Sequence, residues 1–308
     1  MKEPDEQGRR VLDSANASIA ESSAVFAERK FRTFTSATQL KDWIKNKSKQ
    51  TGVPANVLLR SYMMERLLER VSLSPYRGNM ILKGGFLIAA MVGIDRRSTM
   101  DMDTTMKGLP VSRETIEGIL KEIINIDAGD GVVFEIQDIK NIHDISEYDD
   151  FRIAMRATLY TVRADMKIDI TTGDAVIPRE IEYHYKLMFE ERTIPVMAYN
   201  LYTILAEKIE TILSRNVTNS RGRDFYDVYM LLSMNRDTLS KQELLRALRV
   251  KAEERGSVTD MDNHEKHLRD IAASPEIAKI WSAYVRNYPY AKGIALTDVL
   301  ALIAWVFS

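Results

Sequence analysis

The sequence predicts an α/β protein of the α+β kind, a mixed-sheet core followed by a helical C-terminal half. Three observations carry this. Between Asn79 and Asp174, short strand-like stretches are interleaved with stretches of helical period. Their connections are of both hairpin and crossover length, which suits a small mixed sheet. After about residue 195 the strands stop and only helical stretches remain.

Taken in order, residues 1–34 are rich in Ala, Ser and Glu. Val11, Leu12, Ile19, Val25 and Phe26 form no clean stripe, so a mobile arm or a loosely docked helix is expected. Ser36 is placed to cap a short helix with Leu40, Trp43 and Ile44 on one face, closed by Gly52. Pro54 starts a longer helix with Val57, Leu58, Met64, Leu67, Leu68 and Val71 at helical spacing. Met80 to Leu82 reads as a strand ending at Gly84-Gly85, and Phe86 to Val92 as a helix. Thr99 to Met106 alternates as a strand does. Ser112 caps a helix with Ile116, Ile119, Leu120, Ile123 and Ile124 on one face. Val132 to Ile139 and Arg152 to Val162 are strand-like, and Asp165 to Thr171 alternates cleanly. Helical stretches follow at Leu201 to Leu213, Phe225 to Leu232, Leu244 to Val250, Ile277 to Tyr284 and Val299 to Phe307. Ser240 with Glu243 makes a capping box, and Ser274-Pro275 an N-cap and first-turn pair. The expected division is an arm over 1–34, a core over 35–194 and a helical domain over 195–308.

Composition bounds the function. Of 308 residues, 45% are hydrophobic, enough for a sizeable core. The net charge is −1, so any nucleic-acid binding must rest on local patches. There is no cysteine, which excludes disulfides, zinc–thiolate sites and thiol catalysis and fits the cytoplasm. The opening MKEPDEQGRR leads into no apolar run of signal-peptide type. The longest apolar stretch, Ala291 to Phe307, is interrupted by Lys292, Gly293, Thr297 and Asp298. That is too short and polar to span a bilayer, so no membrane association is expected.

The carboxylates are the most informative residues. Asp101 and Asp103 are two apart in a strand-like stretch, so both point to one face. Adjacent anions repel unless a cation lies between them, and Mg²⁺ favours such oxygen ligands. Asp169 points away from Met166, Ile168 and Ile170 on its own strand. If that strand lies beside Thr99–Met106, three acids converge and two metal ions could be held. The alternative is that these acids form the solvent faces of edge strands. Lys83-Gly84-Gly85 before a helix lets a phosphate approach backbone N–H groups, or is simply a tight turn. Lys208 lies on the inward stripe of Leu201, Leu205 and Ile212. A lysine there needs an anionic partner or must snorkel outward. Arg221, Arg223, Asp224 and Asp227 cluster at a helix start. Asp224 could cap that helix with Asp227 on its solvent face, or the cluster could face the carboxylates and bind phosphate. His264 and His267 lack a third ligand and read as surface residues. Lys41, Lys45, Lys47 and Lys49 form a basic face, solvated or against a phosphate backbone.

Together these stretches resemble the AbiEii family of nucleotidyltransferase toxins, known from abortive phage-infection systems and from related mycobacterial toxins. The likeness runs from about Phe34 to Leu232. It rests on Ser74-Pro75-Tyr76, Met80-Ile-Leu-Lys83-Gly84-Gly85, Arg97-Ser-Thr99-Met-Asp101-Met-Asp103, Glu207-Lys208 and Arg223-Asp224-Phe-Tyr-Asp227. The resemblance implies a polymerase-β-like nucleotidyltransferase core followed by a helical domain. It implies Mg²⁺, or Mn²⁺ in its place, and a nucleoside triphosphate. Asp101, Asp103 and Asp169 would hold metal. Those three with Lys208 and Asp227 form the implied catalytic set. Lys83, Gly84, Gly85, Thr99, Lys208, Arg223 and Asp224 form the implied nucleotide-binding set. Polymerase-β-type cores commonly have Gly-Ser where this chain has Gly84-Gly85, a departure that bears on the serine contact to phosphate. Relatives add nucleotides to tRNA acceptor ends, block translation and are opposed by a cognate, AbiEi-like antitoxin. The expected function is transfer of a nucleoside monophosphate from NTP to an RNA acceptor, the tRNA 3′ end being preferred. The alternatives are a protein or small-molecule acceptor, or a module that binds GTP or another NTP without chemistry.

Overall fold

The computed structural model describes residues 34–109, 112–142 and 150–308. The arm expected over 1–34 lies outside them, apart from Phe34. Helix α1 (Ala37–Thr51) begins where the Ser36 hydroxyl accepts the Gln39 N–H, and Gly52 closes it in the left-handed region. Leu40 and Ile44 are buried, but Trp43 stays half outside, with its edge against Phe34. Helix α2 (Ala55–Leu73) buries every residue from Ser61 to Val71. The apolar positions were expected. The simultaneous burial of Glu65, Arg66, Glu69 and Arg70 was not, because periodicity marks charged residues as solvent-facing.

The sheet has seven strands: β1 (Met80–Lys83), β2 (Asp101–Met106), β3 (Val133–Asn141), β4 (Phe151–Leu159), β5 (Val162–Thr172), β6 (Ile181–Lys186) and β7 (Thr193–Ala198). Their order is β3-β4-β5-β2-β1-β7-β6. β2 runs parallel to β5 and β1 parallel to β7; the other neighbours are antiparallel. The mixed sheet of the expected α/β class is therefore present. Helix α3 (Gly84–Val92) joins β1 to β2, and α4 (Arg113–Ile124) lies between β2 and β3. Ser112 caps α4 as expected. α2 packs on β5 and β7.

Two strand expectations are corrected. Arg152 to Val162 is not one strand. The chain turns at Tyr160-Thr161, with Tyr160 at a φ of 54°, so Val162 opens β5. The β6–β7 hairpin had no counterpart in the sequence reading. β6 is an edge strand, IEYHYK, mostly open to solvent, so it shows little alternation. The last strand accordingly ends at Ala198, past the expected boundary at 194.

The remainder is helical: α5 (Leu201–Arg215), α6 (Gly222–Asn235), α7 (Lys241–Glu254), α8 (Val258–Asp262), α9 (His264–Ala273), α10 (Pro275–Asn287) and α11 (Leu296–Phe307). Asn200, Ser240 and Ser274 cap α5, α7 and α10 through their side chains. One continuous apolar cluster runs from Phe34 through the sheet into α11. Among the described residues, no helix is long and apolar enough to cross a membrane.

Candidate active site

β1 delivers the chain to Gly84, which takes a φ of 65° and starts α3 with no side-chain cap. A β-carbon at Gly84 would collide with the Asp103 carboxylate. One at Gly85 would lie 2.7 Å from Arg97 Nη2 and 3.1 Å from Thr99 Oγ1. The two glycines thus let an acid and a guanidinium lie directly against a helix N-terminus. The Gly85 N–H reaches Asp103 Oδ2 at 3.4 Å. Lys83 turns elsewhere. Its ammonium bonds Thr171 at 2.7 Å and Asp174 at 2.5 Å, and it does not line the cleft described below.

The register places Asp103 directly opposite Asp169, and Asp101 opposite Lys167. On β5, Met166, Ile168 and Ile170 are buried while Asp169 looks to the other face, as alternation predicts. Asp169 accepts two hydrogen bonds from Arg152, at 2.8 and 2.7 Å. Arg152 is its register partner on β4. Burial, then the neighbouring charge of Asp169, pushes the Asp103 carboxyl above its ordinary range.

Facing these acids is a second cluster. Lys208 on α5 bonds Asp224 at 2.6 Å and lies 3.2 Å from Asp227. Arg97 donates through Nε to Asp227 at 2.7 Å. Burial alone would lower the Lys208 ammonium, but Asp227 and Asp224 outweigh it and the net shift is upward. Burial alone would raise the Asp227 carboxyl, but Arg97 and Lys208 hold it below its ordinary range. Asp227 is therefore not on a solvent face; it is fully buried. Asp224 does not cap α6 either. It sits in the first turn, buried, with Oδ2 lacking a hydrogen-bond partner among the described residues.

A cleft of about 450 Å³ joins the two clusters. Gly84, Gly85, Thr99, Asp101, Asp103, Asp169, Lys208, Arg223 and Asp224 line it, as do Arg97, Tyr284 and Tyr288. Asp227 lies behind this wall, holding Arg97 and Lys208. The sequence reading missed Arg97, Arg152 and the tyrosines. Arg97 stood inside a quoted motif, but an arginine there shows no sign of being buried. Tyr284, Tyr288 and Tyr290 fall within one short stretch, a signal that spacing alone could have raised.

The donor set suits a hard divalent cation. Asp101 and Asp103 offer carboxylate oxygens on one face of β2, and both line the cleft. Among the described residues, no three acids or histidines stand ready as a cage. Asp169 is engaged by Arg152, so the pair rather than the trio fits best. His264 stacks on Phe307, and His267 bonds the Leu213 carbonyl at 2.8 Å. Lys41, Lys45 and Lys49 are exposed on α1, and Lys47 is half-buried.

The sequence matches the model of the nucleotidyl transferase AbiEii toxin family, Type IV toxin–antitoxin system, over residues 66–301. The chain belongs to that family. The match starts later than the stretch of resembling motifs and extends through most of the helical half. A comparison with curated proteins finds no match. Among solved structures, a nucleotidyltransferase candidate from Helicobacter pylori aligns with a TM-score of 0.47 and 14% identity, over 82% of this chain and 96% of its own. JHP933 from Helicobacter pylori aligns with a TM-score of 0.47 and 14% identity, over 82% and 93%. An antigenic nucleotidyltransferase-like protein from Paracoccidioides brasiliensis aligns with a TM-score of 0.35 and 13% identity, over 63% and 89%. These are loose likenesses, and the assignment to the AbiEii family rests on the sequence match.

Proposed function

We propose that this AbiEii-family chain transfers a nucleoside monophosphate from NTP to an RNA hydroxyl, releases pyrophosphate, and acts as the toxin of its pair. The tRNA 3′ end is the preferred acceptor, which would block translation in the cytoplasm until an AbiEi-like antitoxin opposes it. The observation that carries this reading is the meeting of Asp101, Asp103 and Asp169 with Lys208, Arg223 and Asp224 across one cleft.

In the proposed reaction, the acceptor hydroxyl oxygen bonds the α-phosphorus as the bond to the bridging oxygen breaks. Pyrophosphate leaves with that oxygen, and the hydroxyl proton passes to Asp169. Asp101 and Asp103 would hold Mg²⁺ or Mn²⁺, which when bound neutralises charge on the phosphate oxygens. Lys208 and Arg223 bind the triphosphate, beside the Gly84-Gly85 turn and Thr99. Lys83, held at the end of β1 by Thr171 and Asp174, belongs to the same proposed nucleotide-binding set. Asp227 positions Arg97 and Lys208. Catalysis of this kind is mainly positioning and charge stabilisation.

The test is incubation with each labelled NTP and total RNA, with and without divalent cation. Cation-dependent label on RNA of tRNA size, with pyrophosphate released, is the expected result. Label on protein or small molecules, or no transfer with any NTP, would overturn the assignment.

A further inference from the structure

The cleft has an aromatic wall that the transfer chemistry leaves unused. Tyr284 on α10 and Tyr288 just beyond it both line the cleft. The Tyr284 and Tyr288 rings are 4.6 Å apart, and Tyr290 stacks on Tyr288 at 5.4 Å. Tyr284 and Tyr290 also meet through their hydroxyls at 3.3 Å. Tyr284 is buried, while Tyr288 and Tyr290 are only partly so. A β-carbon on Gly222 would lie 2.8 Å from that of Tyr284, so α10 seats directly on the start of α6. That start carries Arg223 and Asp224. The aromatic wall and the charged groups therefore belong to one packed unit.

We propose that Tyr288, braced by Tyr284 and Tyr290, is a stacking platform for a nucleobase in this cleft. This rests on the nucleotidyl-transfer reading and adds a base subsite to it. Two independent features support it. A ring already held by two others has little freedom to lose on stacking, and every base offers a π-face. Asp224 lines the same cleft, and its Oδ2, just beneath that surface, has no donor among the described residues. A buried acceptor left unpaired is costly, and a nucleoside brings N–H and O–H donors. A plain triphosphate brings neither a π-face nor such donors. The base belongs either to the incoming nucleotide or to the end of the RNA acceptor.

The test compares wild type, Tyr288→Ala and Tyr288→Phe by calorimetry in Mg²⁺ buffer. The probes are each NTP, inorganic tripolyphosphate and a short single-stranded RNA. Tyr288→Ala should weaken one base-bearing probe about tenfold, leave tripolyphosphate unchanged, and be rescued by Tyr288→Phe. Loss confined to NTP assigns the platform to the incoming nucleotide; loss confined to RNA assigns it to the acceptor. Equal loss for NTP and tripolyphosphate, or no loss for any probe, overturns the platform. A wild type that binds NTP but never transfers it overturns the transfer reading and leaves the platform standing on binding. A wild type that binds no probe overturns both.

Discussion

Two charge networks lie inside this chain, and they are built differently. Behind the sheet, α2 contributes Glu65, Arg66, Glu69 and Arg70. Arg70 grips Asp130 with two bonds of 2.7 and 2.8 Å. Arg66 bonds Glu190 at 2.9 Å, and Arg192 spans Glu69 and Glu190 at 2.6 Å each. Each guanidinium there meets a carboxylate, and the network ties α2 to the loop before β3 and to the β6–β7 turn. In the cleft, Arg97 and Lys208 balance Asp224 and Asp227, and Arg152 balances Asp169. Asp101 and Asp103 are left with no ion pair among the described residues, and Asp224 Oδ2 is left without a donor. The same residue types make, in one place, a clamp in which every guanidinium meets a carboxylate, though Arg66 Nε and Arg70 Nε find no acceptor among the described residues, and in the other a set in which two carboxylates meet no cation. The incomplete set is the one that a cation and a nucleotide would finish.

The sharpest way to break the comparison is to open the closed network. Arg70→Met should cost about 3–5 kcal/mol of stability, because Asp130 is left buried and unpaired. Urea unfolding followed by circular dichroism measures it. Transfer by the molecules still folded should be unchanged. An unaltered midpoint would mean that the clamp holds nothing.

Opening the incomplete network should act on rate instead. Asp103→Asn should lower transfer by roughly 10²–10³-fold. Its folded stability should hold or rise, since burial and Asp169 both disfavour the Asp103 charge. Labelled transfer and thermal melting on the same preparation check both halves. Retained transfer would remove Asp103 from the site. A marked drop in melting temperature would place it among the structural charges.

This difference explains what could be read in advance. The acids on β2 and β5 were legible because strand alternation alone decides their face. Lys208 was legible because a lysine on an apolar stripe must find an anion, and it found Asp224 and Asp227. The clamp on α2 was not legible. Its charges pair with Asp130, Glu190 and Arg192, which lie far along the chain, and helical period assigns such charges to solvent. The alternative of a solvent-facing Asp227 could not be dismissed from the sequence for the same reason: Arg97, its partner, lies 130 residues away. The β6–β7 hairpin was missed because an exposed edge strand has no buried face to write a pattern.

Lys208 belongs to both kinds of network, so its removal sharpens the contrast. A neutral side chain on an apolar stripe should by itself be harmless. Here, however, Lys208→Met leaves Asp224 and the fully buried Asp227 with Arg97 alone. The Lys208 side chain is 21% exposed, which tempers the loss. Stability should fall by about 2–3 kcal/mol, and NTP affinity should fall with it. Calorimetry with NTP, beside a melting curve, separates the two effects. Weakened binding at unchanged stability would show Lys208 serving only the ligand. Lost stability at unchanged binding would show it serving only the fold.

The smallest effect tests whether the closed network is fully balanced. Among the described residues, Arg66, Arg70 and Arg192 form its salt bridges with Glu69, Asp130 and Glu190. Glu65 is the acid beside them that forms none. It accepts the Met188 N–H at 3.1 Å and the Tyr185 hydroxyl at 3.3 Å, neither of them charged. Burial accordingly lifts its pKa from 4.5 to about 7, with Arg66 pulling the other way. A raised carboxyl favours the folded state while it is protonated. Its contribution is whole below pH 4.5, falls as pH rises, and is lost once pH passes about 7. Glu65→Gln is neutral throughout and nearly the same shape. It should match wild type near pH 4 and exceed it near pH 8. Taking the difference between the two proteins at each pH cancels the titration of every other group. A gap that stays constant from pH 5 to pH 8 would show that Glu65 is ionised throughout and that the clamp balances its charge after all.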